Sequence, residues 1–160
     1  MAASYDEPQV KELVHKLKFG FARQAAEAIS CAMAAQLREA GEHFPAEFVV
    51  THVPTATTRV RQRGFDQAAL IANALARQLG APYAPLLART TQQRQLGNGR
   101  AVRREQLRGA YRPLKPWLTQ NAHILLVDDV ITTGSTIEAA SAVLKQAGAQ
   151  TITAVAFAQA

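Results

Sequence analysis

The run His123-Ile-Leu-Leu-Val-Asp-Asp-Val-Ile-Thr-Thr-Gly-Ser-Thr136 ends an apolar stretch in two adjacent carboxylates, Asp128 and Asp129. Thr132, Thr133, Gly134, Ser135 and Thr136 follow within a few residues. The apolar stretch has the composition of a parallel strand buried on both faces. A hydroxyl- and glycine-rich turn that opens a helix offers backbone N–H and side-chain O–H donors to a phosphate, and Gly134 permits close backbone approach. Carboxylates accept hydrogen bonds from sugar hydroxyls. Set beside a phosphate cradle, they point to a phosphorylated ribose.

Other chemistries for an acid pair are less well served. A receiver domain would need a further acidic pair upstream, and the adjacent acids there, Asp6 and Glu7, read as the start of a helix instead. A P-loop needs Gly-x-x-x-x-Gly-Lys-Ser/Thr and a dinucleotide fold needs Gly-x-Gly-x-x-Gly, and the chain has neither. His15, His43, His52 and His123 show no metal-ligand spacing and read as surface or core residues. Ser135 by itself would be an ordinary helix cap. Two solvated acids at a loop are the bland alternative, but they would not explain the whole hydroxyl cluster.

The elements that must position these residues follow from hydrophobic periodicity. Asp6, Glu7 and Pro8 open a helix whose stripe is Val10, Leu13, Val14 and Leu17, ending near Gly20. A second, alanine-rich helix runs over 22–40, with Ile29, Met33 and Leu37 inward and Gly41 as its stop. Residues 48–53 form a strand closed by Pro54. Residues 66–79 form a helix with Leu70, Ile71, Ala74 and Leu75 buried, and Asp66 reads as its N-cap in preference to a catalytic residue. A short strand over 83–87, a connector over 111–117, a strand over 123–127, an acidic loop, a helix over 136–147 and a strand over 151–157 complete the chain. Periodicity fails over 89–108, where Gly97-Asn-Gly99 interrupts a run of arginines and glutamines, as in a functional lid.

Strands alternating with helices predict an α/β fold with a mainly parallel sheet flanked by helices, in a single domain spanning 1–160. In such sheets ligands bind beyond the carboxyl ends of strands. The loops over 54–64 and 128–136 both leave such ends, so two separate parts of the chain point at one face.

Composition narrows the partners. The 160 residues carry a formal net charge of +6, which favours anionic ligands such as phosphates, pyrophosphate or nucleic acid. Arg59, Arg61 and Arg63 form one basic cluster, and Arg89, Arg94, Arg100, Arg103, Arg104 and Arg108 another. No stretch approaches a membrane-spanning length and no signal segment opens the chain, so a cytoplasmic protein is expected. Cys31, the only cysteine, reads as a small buried apolar residue, and Phe65 and Trp117 read as packing residues.

The signature 124–136 resembles the phosphoribosyl-pyrophosphate (PRPP) motif of type I phosphoribosyltransferases. More narrowly, the chain resembles the ComF-type competence family, a phosphoribosyltransferase-like group. Lys16-Leu-Lys-Phe-Gly20, Val53-Pro54 with Arg61-Gln-Arg-Gly-Phe-Asp-Gln67, and Gln93-Arg-Gln-Leu96 with Arg103 and Gly109-Ala-Tyr111 carry that likeness over almost the whole length. The chain departs from the pattern at Asp66 and Gln106, where the family shows Asn, and in a lengthened 97–102 segment. It also lacks the family's N-terminal cysteine-rich zinc module.

The resemblance implies a Rossmann-like type I phosphoribosyltransferase fold. In it, Asp128 and Asp129 bind the ribose 2′- and 3′-hydroxyls and stabilise charge at C1′. Thr132, Thr133, Gly134, Ser135 and Thr136 hold the 5′-phosphate. Thr55, Ala56 and Thr57 form a pyrophosphate loop with Arg59, Arg61 or Arg63 nearby, and Arg94, Arg100, Arg103 and Arg104 belong to a closing lid over 89–108. Mg²⁺ is implied as cofactor, held mainly through PRPP and water. The implied activity is transfer of phosphoribosyl to a nitrogen acceptor with pyrophosphate release. The alternative is a non-catalytic PRPP-, nucleotide- or single-stranded-DNA-binding partner in DNA uptake, acting with an uptake ATPase. A domain that has lost catalysis, and a homodimer, stay open.

Overall fold

The computed structural model describes residues 3–18, 22–90 and 109–160. Among these, the sheet is parallel throughout, with strand order β1-β6-β5-β2, built from β1 (Ala3–Ser4), β2 (Val49–His52), β5 (His123–Ile131) and β6 (Thr151–Gln159). A separate antiparallel ribbon pairs β3 (Leu87–Arg89) with β4 (Tyr111–Pro113). The helices are α1 (Pro8–Lys18), α2 (Ala22–Glu39), α3 (Thr57–Arg63), α4 (Gln67–Leu79), the single turn α5 (Pro116–Thr119) and α6 (Ser135–Gln146).

The central strand β5 shows why the sheet is covered on both sides. Its side chains alternate between faces, as pleating requires. Leu125 and Val127 join a core with Val14, Leu17, Ile29, Met33, Ile71 and Leu75 from α1, α2 and α4. Ile124 and Leu126 join a second core with Leu87, Tyr111, Ala140 and Leu144, from the ribbon and α6. An unbroken apolar run is therefore needed, and His123-Ile-Leu-Leu-Val supplies it.

Several expectations change. Strand β5 does not stop before the acid pair: it runs on to Ile131 because β6 keeps pairing with it as far as Gln159. Residues 111–117 are not a plain connector but hold β4 and α5, and of 83–87 only Leu87 lies in a strand, Tyr83 making one bridge to Val50. Cys31 is exposed, because the inward stripe of α2 runs through Ile29, Ser30, Met33 and Ala34 and leaves position 31 on the outer face. Trp117 does not pack: it is 72% exposed on α5.

Because β5 is buried on both faces, Leu125→Ala and Leu126→Ala should each lower unfolding stability by about 2–5 kcal/mol, although they point into different cores. Urea denaturation measures both. A near-neutral result for either would mean that its face is not a true core.

Candidate functional site

The site grows from the carboxyl end of β5. Strand β2 pairs with β5 up to His52 opposite Val127, and the Val53 N–H closes the ladder on the Val127 carbonyl at 2.9 Å. There β2 turns away at Pro54, and β5 continues alone on that side into Asp128 and Asp129. The two loops anticipated from sequence thus leave neighbouring strand ends.

Asp128 is buried and Asp129 half-buried. Each carboxylate accepts from the backbone N–H of the next residue, Asp129 N–H to Asp128 Oδ1 at 2.9 Å and Val130 N–H to Asp129 Oδ1 at 2.8 Å. These bonds do not offset what burial costs the charge. Burial, then repulsion from Asp129, pushes the Asp128 carboxyl up to about 8, with Asp66 adding to the effect and the Asp129 amide opposing it. Such a group is poised to receive a cation or hydrogen-bond donors.

The hydroxyl turn follows directly. Gly134 takes φ +76°, a left-handed conformation that strains other residues, and stands as the N-cap of α6 in place of Ser135. Ser135 is instead the first helical residue, its hydroxyl 3.0 Å from that of Thr133. Thr132 and Thr133 are exposed, and Thr136 is half-buried in the first turn of α6. Among the described residues, the N–H groups of Thr132, Thr133 and Gly134 take no protein acceptor. Amides without a protein acceptor, beside the paired Thr133 and Ser135 hydroxyls and ahead of a 12-residue helix, form a surface suited to an anion.

Across from it, Thr55 and Ala56 lie in the turn after β2, whereas Thr57 opens α3, so the anticipated loop is half helix. Helical geometry divides the arginines. Arg59 and Arg63 are four residues apart on one face, and Arg61 points elsewhere. Arg63 donates to Gln67 Oε1 at 2.6 Å, and Arg59 and Arg61 are exposed. Gly64, at φ +81°, ends α3 and turns the chain so that Asp66 caps α4. The anticipated lid residues Arg94, Arg100, Arg103 and Arg104 lie outside the described residues. Both flanks of that segment are fixed beside the site, where Thr90 N–H bonds the Ala110 carbonyl at 2.8 Å.

Four polar residues lie by the site to which sequence reasoning gave no role there. His52 and Tyr83 meet inside the protein, Nδ1 to hydroxyl at 3.0 Å, and His52 Nε2 lies 3.8 Å from Asp66 Oδ2. Gln67 Nε2 and the Tyr111 hydroxyl are buried without a hydrogen-bond partner among the described residues. Burial raises the Tyr111 phenol, Arg89 beside its ring opposes this, and Asp128 and Asp66 reinforce it. Tyr111 therefore lies within the field of both acidic groups. Its place in the quoted Gly109-Ala-Tyr111 segment was the one available signal.

The model of the phosphoribosyl transferase domain matches residues 66–160. The chain is 31% identical over 152 residues to the DNA utilization protein YhgH of Escherichia coli K12, and 32% identical over 153 residues to the protein of that name from Salmonella typhimurium. These matches take in 91% of this chain, which spans 65% of the length of those relatives. Among solved structures, the glutamine PRPP amidotransferase from B. subtilis complexed with ADP and GMP is similar at TM-score 0.53 and 22% identity, covering 82% of this chain and 26% of that one. An adenine phosphoribosyltransferase is similar at TM-score 0.53 and 19% identity, covering 88% and 71%. At these identities the likeness concerns the fold.

An acid whose folded pKa lies above its unfolded value keeps its proton only in the folded state. Asp128 should therefore weaken the ligand-free protein as pH rises from the ordinary carboxylate range toward about 8. Asp128→Asn should raise Tm at pH 8 by about 4–8 °C, as roughly 2 kcal/mol would in a domain of this size, and change it little at pH 4. Thermal unfolding at the two pH values decides; a shift equal at both would exclude a buried, proton-holding Asp128.

Proposed function

The chain belongs to the phosphoribosyl transferase domain family, and on that premise we propose that it binds PRPP with Mg²⁺ and transfers the phosphoribosyl group to a nitrogen acceptor. The observation that carries this reading is the buried Asp128, beside Asp129, immediately ahead of the hydroxyl turn. Ionised, the pair accepts from the ribose 2′- and 3′-hydroxyls. Amides and hydroxyls of Thr132, Thr133, Gly134, Ser135 and Thr136 surround the 5′-phosphate, and the pyrophosphate arm extends toward Thr55, Ala56, Thr57 and the arginines of α3.

A carboxylate displaced so far toward its neutral form is a fit partner for a cation. Among the described residues no three of His, Cys, Asp and Glu form a metal cluster. Mg²⁺ would therefore take most of its oxygens from the diphosphate and water, as that ion prefers, and its charge would ease pyrophosphate departure. The protein's own share is electrostatic: fixed carboxylates below the sugar stabilise positive charge at C1′ as the C1′–oxygen bond breaks. The acceptor nitrogen forms its bond on the opposite face, with inversion, and gives up a proton.

A second reading has its own support. The relatives are named DNA utilization proteins, and a net charge of +6 suits a nucleic acid. The domain would then bind PRPP, a nucleotide or single-stranded DNA as a partner in DNA uptake without turnover. Its affinity for an oligonucleotide should fall steeply with salt, and a flat response would remove it.

Thermal shift and calorimetry with PRPP, ribose 5-phosphate and nucleoside monophosphates, each with and without Mg²⁺, test the main reading. PRPP at a hundred times its Kd should stabilise the protein by about 2.7 kcal/mol. Asp128→Asn with Asp129→Asn should weaken PRPP about a hundredfold or more while the domain stays folded, given roughly 1.5–3 kcal/mol for each hydrogen bond to a charged group. Unchanged PRPP affinity in that variant would sink the assignment. Pyrophosphate release with a nucleobase or amine separates transfer from binding alone.

A further inference from the structure

Asp66 does more than a helix cap requires. Its Oδ1 accepts from Ala69 N–H at 3.3 Å, which caps α4, and also from the Thr55 hydroxyl at 2.9 Å. Its Oδ2 accepts from the Thr55 N–H at 2.8 Å. Thr55 stands eleven residues earlier, in the turn that follows β2. One carboxylate thus takes both donors of the residue at which the chain leaves the sheet beside the acid pair.

Behind Asp66 lies a buried histidine–tyrosine pair. His52 is 6% exposed, its Nε2 is 3.8 Å from Asp66 Oδ2 and its Nδ1 is 3.0 Å from the Tyr83 hydroxyl. When the phenol donates to Nδ1, the ring proton sits on Nε2 and faces the carboxylate; the other tautomer would turn a lone pair toward it. Burial lowers the His52 pKa and the charge of Asp66 opposes this, in keeping with a neutral ring in that tautomer. Tyr83 is itself tied to the sheet by its bridge to Val50.

We propose that Asp66 is a positioning residue for the pyrophosphate end of the site: it fixes the turn at 54–56 against the acid pair without touching the ligand, with the buried His52–Tyr83 pair behind its carboxylate. This rests on the PRPP reading of the site. Because Thr55 spends its N–H and its hydroxyl on Asp66, it serves as the anchor of the turn rather than as a ligand contact. In this chain the carboxylate offers only acceptors to these three donors. An amide has one acceptor oxygen, and its NH₂ group would face a donor.

Asp66→Asn is therefore the informative change, read by calorimetry with PRPP and with ribose 5-phosphate, both with Mg²⁺. The variant should weaken PRPP about tenfold or more, as displaced site groups do, and leave ribose 5-phosphate within about twofold. Equal weakening of both ligands, or of neither, would overturn the proposal. Thr55→Val, which removes only the hydroxyl, should shift PRPP in the same direction by less; a larger loss than in Asp66→Asn would mean that the hydroxyl touches the ligand. If the wild-type protein binds neither ligand, the site reading fails and the pyrophosphate role with it. The clamp is judged separately by hydrogen exchange, where the Thr55 amide should exchange at least about tenfold faster in Asp66→Asn if its bond to a charged acceptor is real. An unchanged rate would dismiss the clamp as well.

Discussion

Two carboxylates on consecutive residues, one of them buried, repel each other where solvent screens them poorly. The surroundings of β5 are arranged about that repulsion. Strand β5 must be buried on both faces to anchor the sheet, so its carboxyl end emerges from a low-dielectric layer. Asp128 is still within that layer and Asp129 is at its edge. The backbone gives each one amide donor, which is too little to hold Asp128 ionised. What would complete the arrangement is positive charge and hydroxyl donors brought by a ligand, and the donors just beyond, in the turn before α6, are set to grip the ligand's phosphate.

Placing that ligand's other end depends on the neighbouring strand. Strand β2 is shorter than β5, and its exit at Pro54 opens the space beside the acid pair. The exit is pinned from three directions: by the Val53 ladder bond to Val127, by Asp66 at the start of α4, and by the buried His52–Tyr83 pair. The ribbon of β3 and β4 closes a further side, with Tyr111 near both acidic groups. Rigid elements thus position the polar side chains, which the preorganised electrostatics proposed for the site would need.

Much of this was legible in the chain, for definite reasons. Strand β5, α4 with its Asp66 cap, and the acid pair followed by a hydroxyl turn all rest on local patterns: an apolar run, a stripe of Leu70, Ile71, Ala74 and Leu75, and a residue order. Helix α3 was missed because Thr57-Thr-Arg-Val-Arg-Gln-Arg63 has a single apolar residue and buries none. Strand β4 was hidden by Pro113 and is held by pairing with β3, more than twenty residues earlier. The exposure of Cys31 was implied by the stripe of Ile29, Met33 and Leu37, which leaves position 31 on the opposite face of α2, but its residue type was read in place of its position. The His52–Tyr83 and Thr55–Asp66 contacts join residues 31 and 11 positions apart, and no local pattern announces them.

Calorimetric titration of PRPP and Mg²⁺ at pH 7, in buffers of different ionisation enthalpy, tests the acid pair most directly. An Asp128 that holds a proton in the free protein and must ionise to receive the ribose predicts net proton release on binding. Most of that release, up to about one proton, should vanish in Asp128→Asn. Tight binding to both proteins with the same proton release would contradict it.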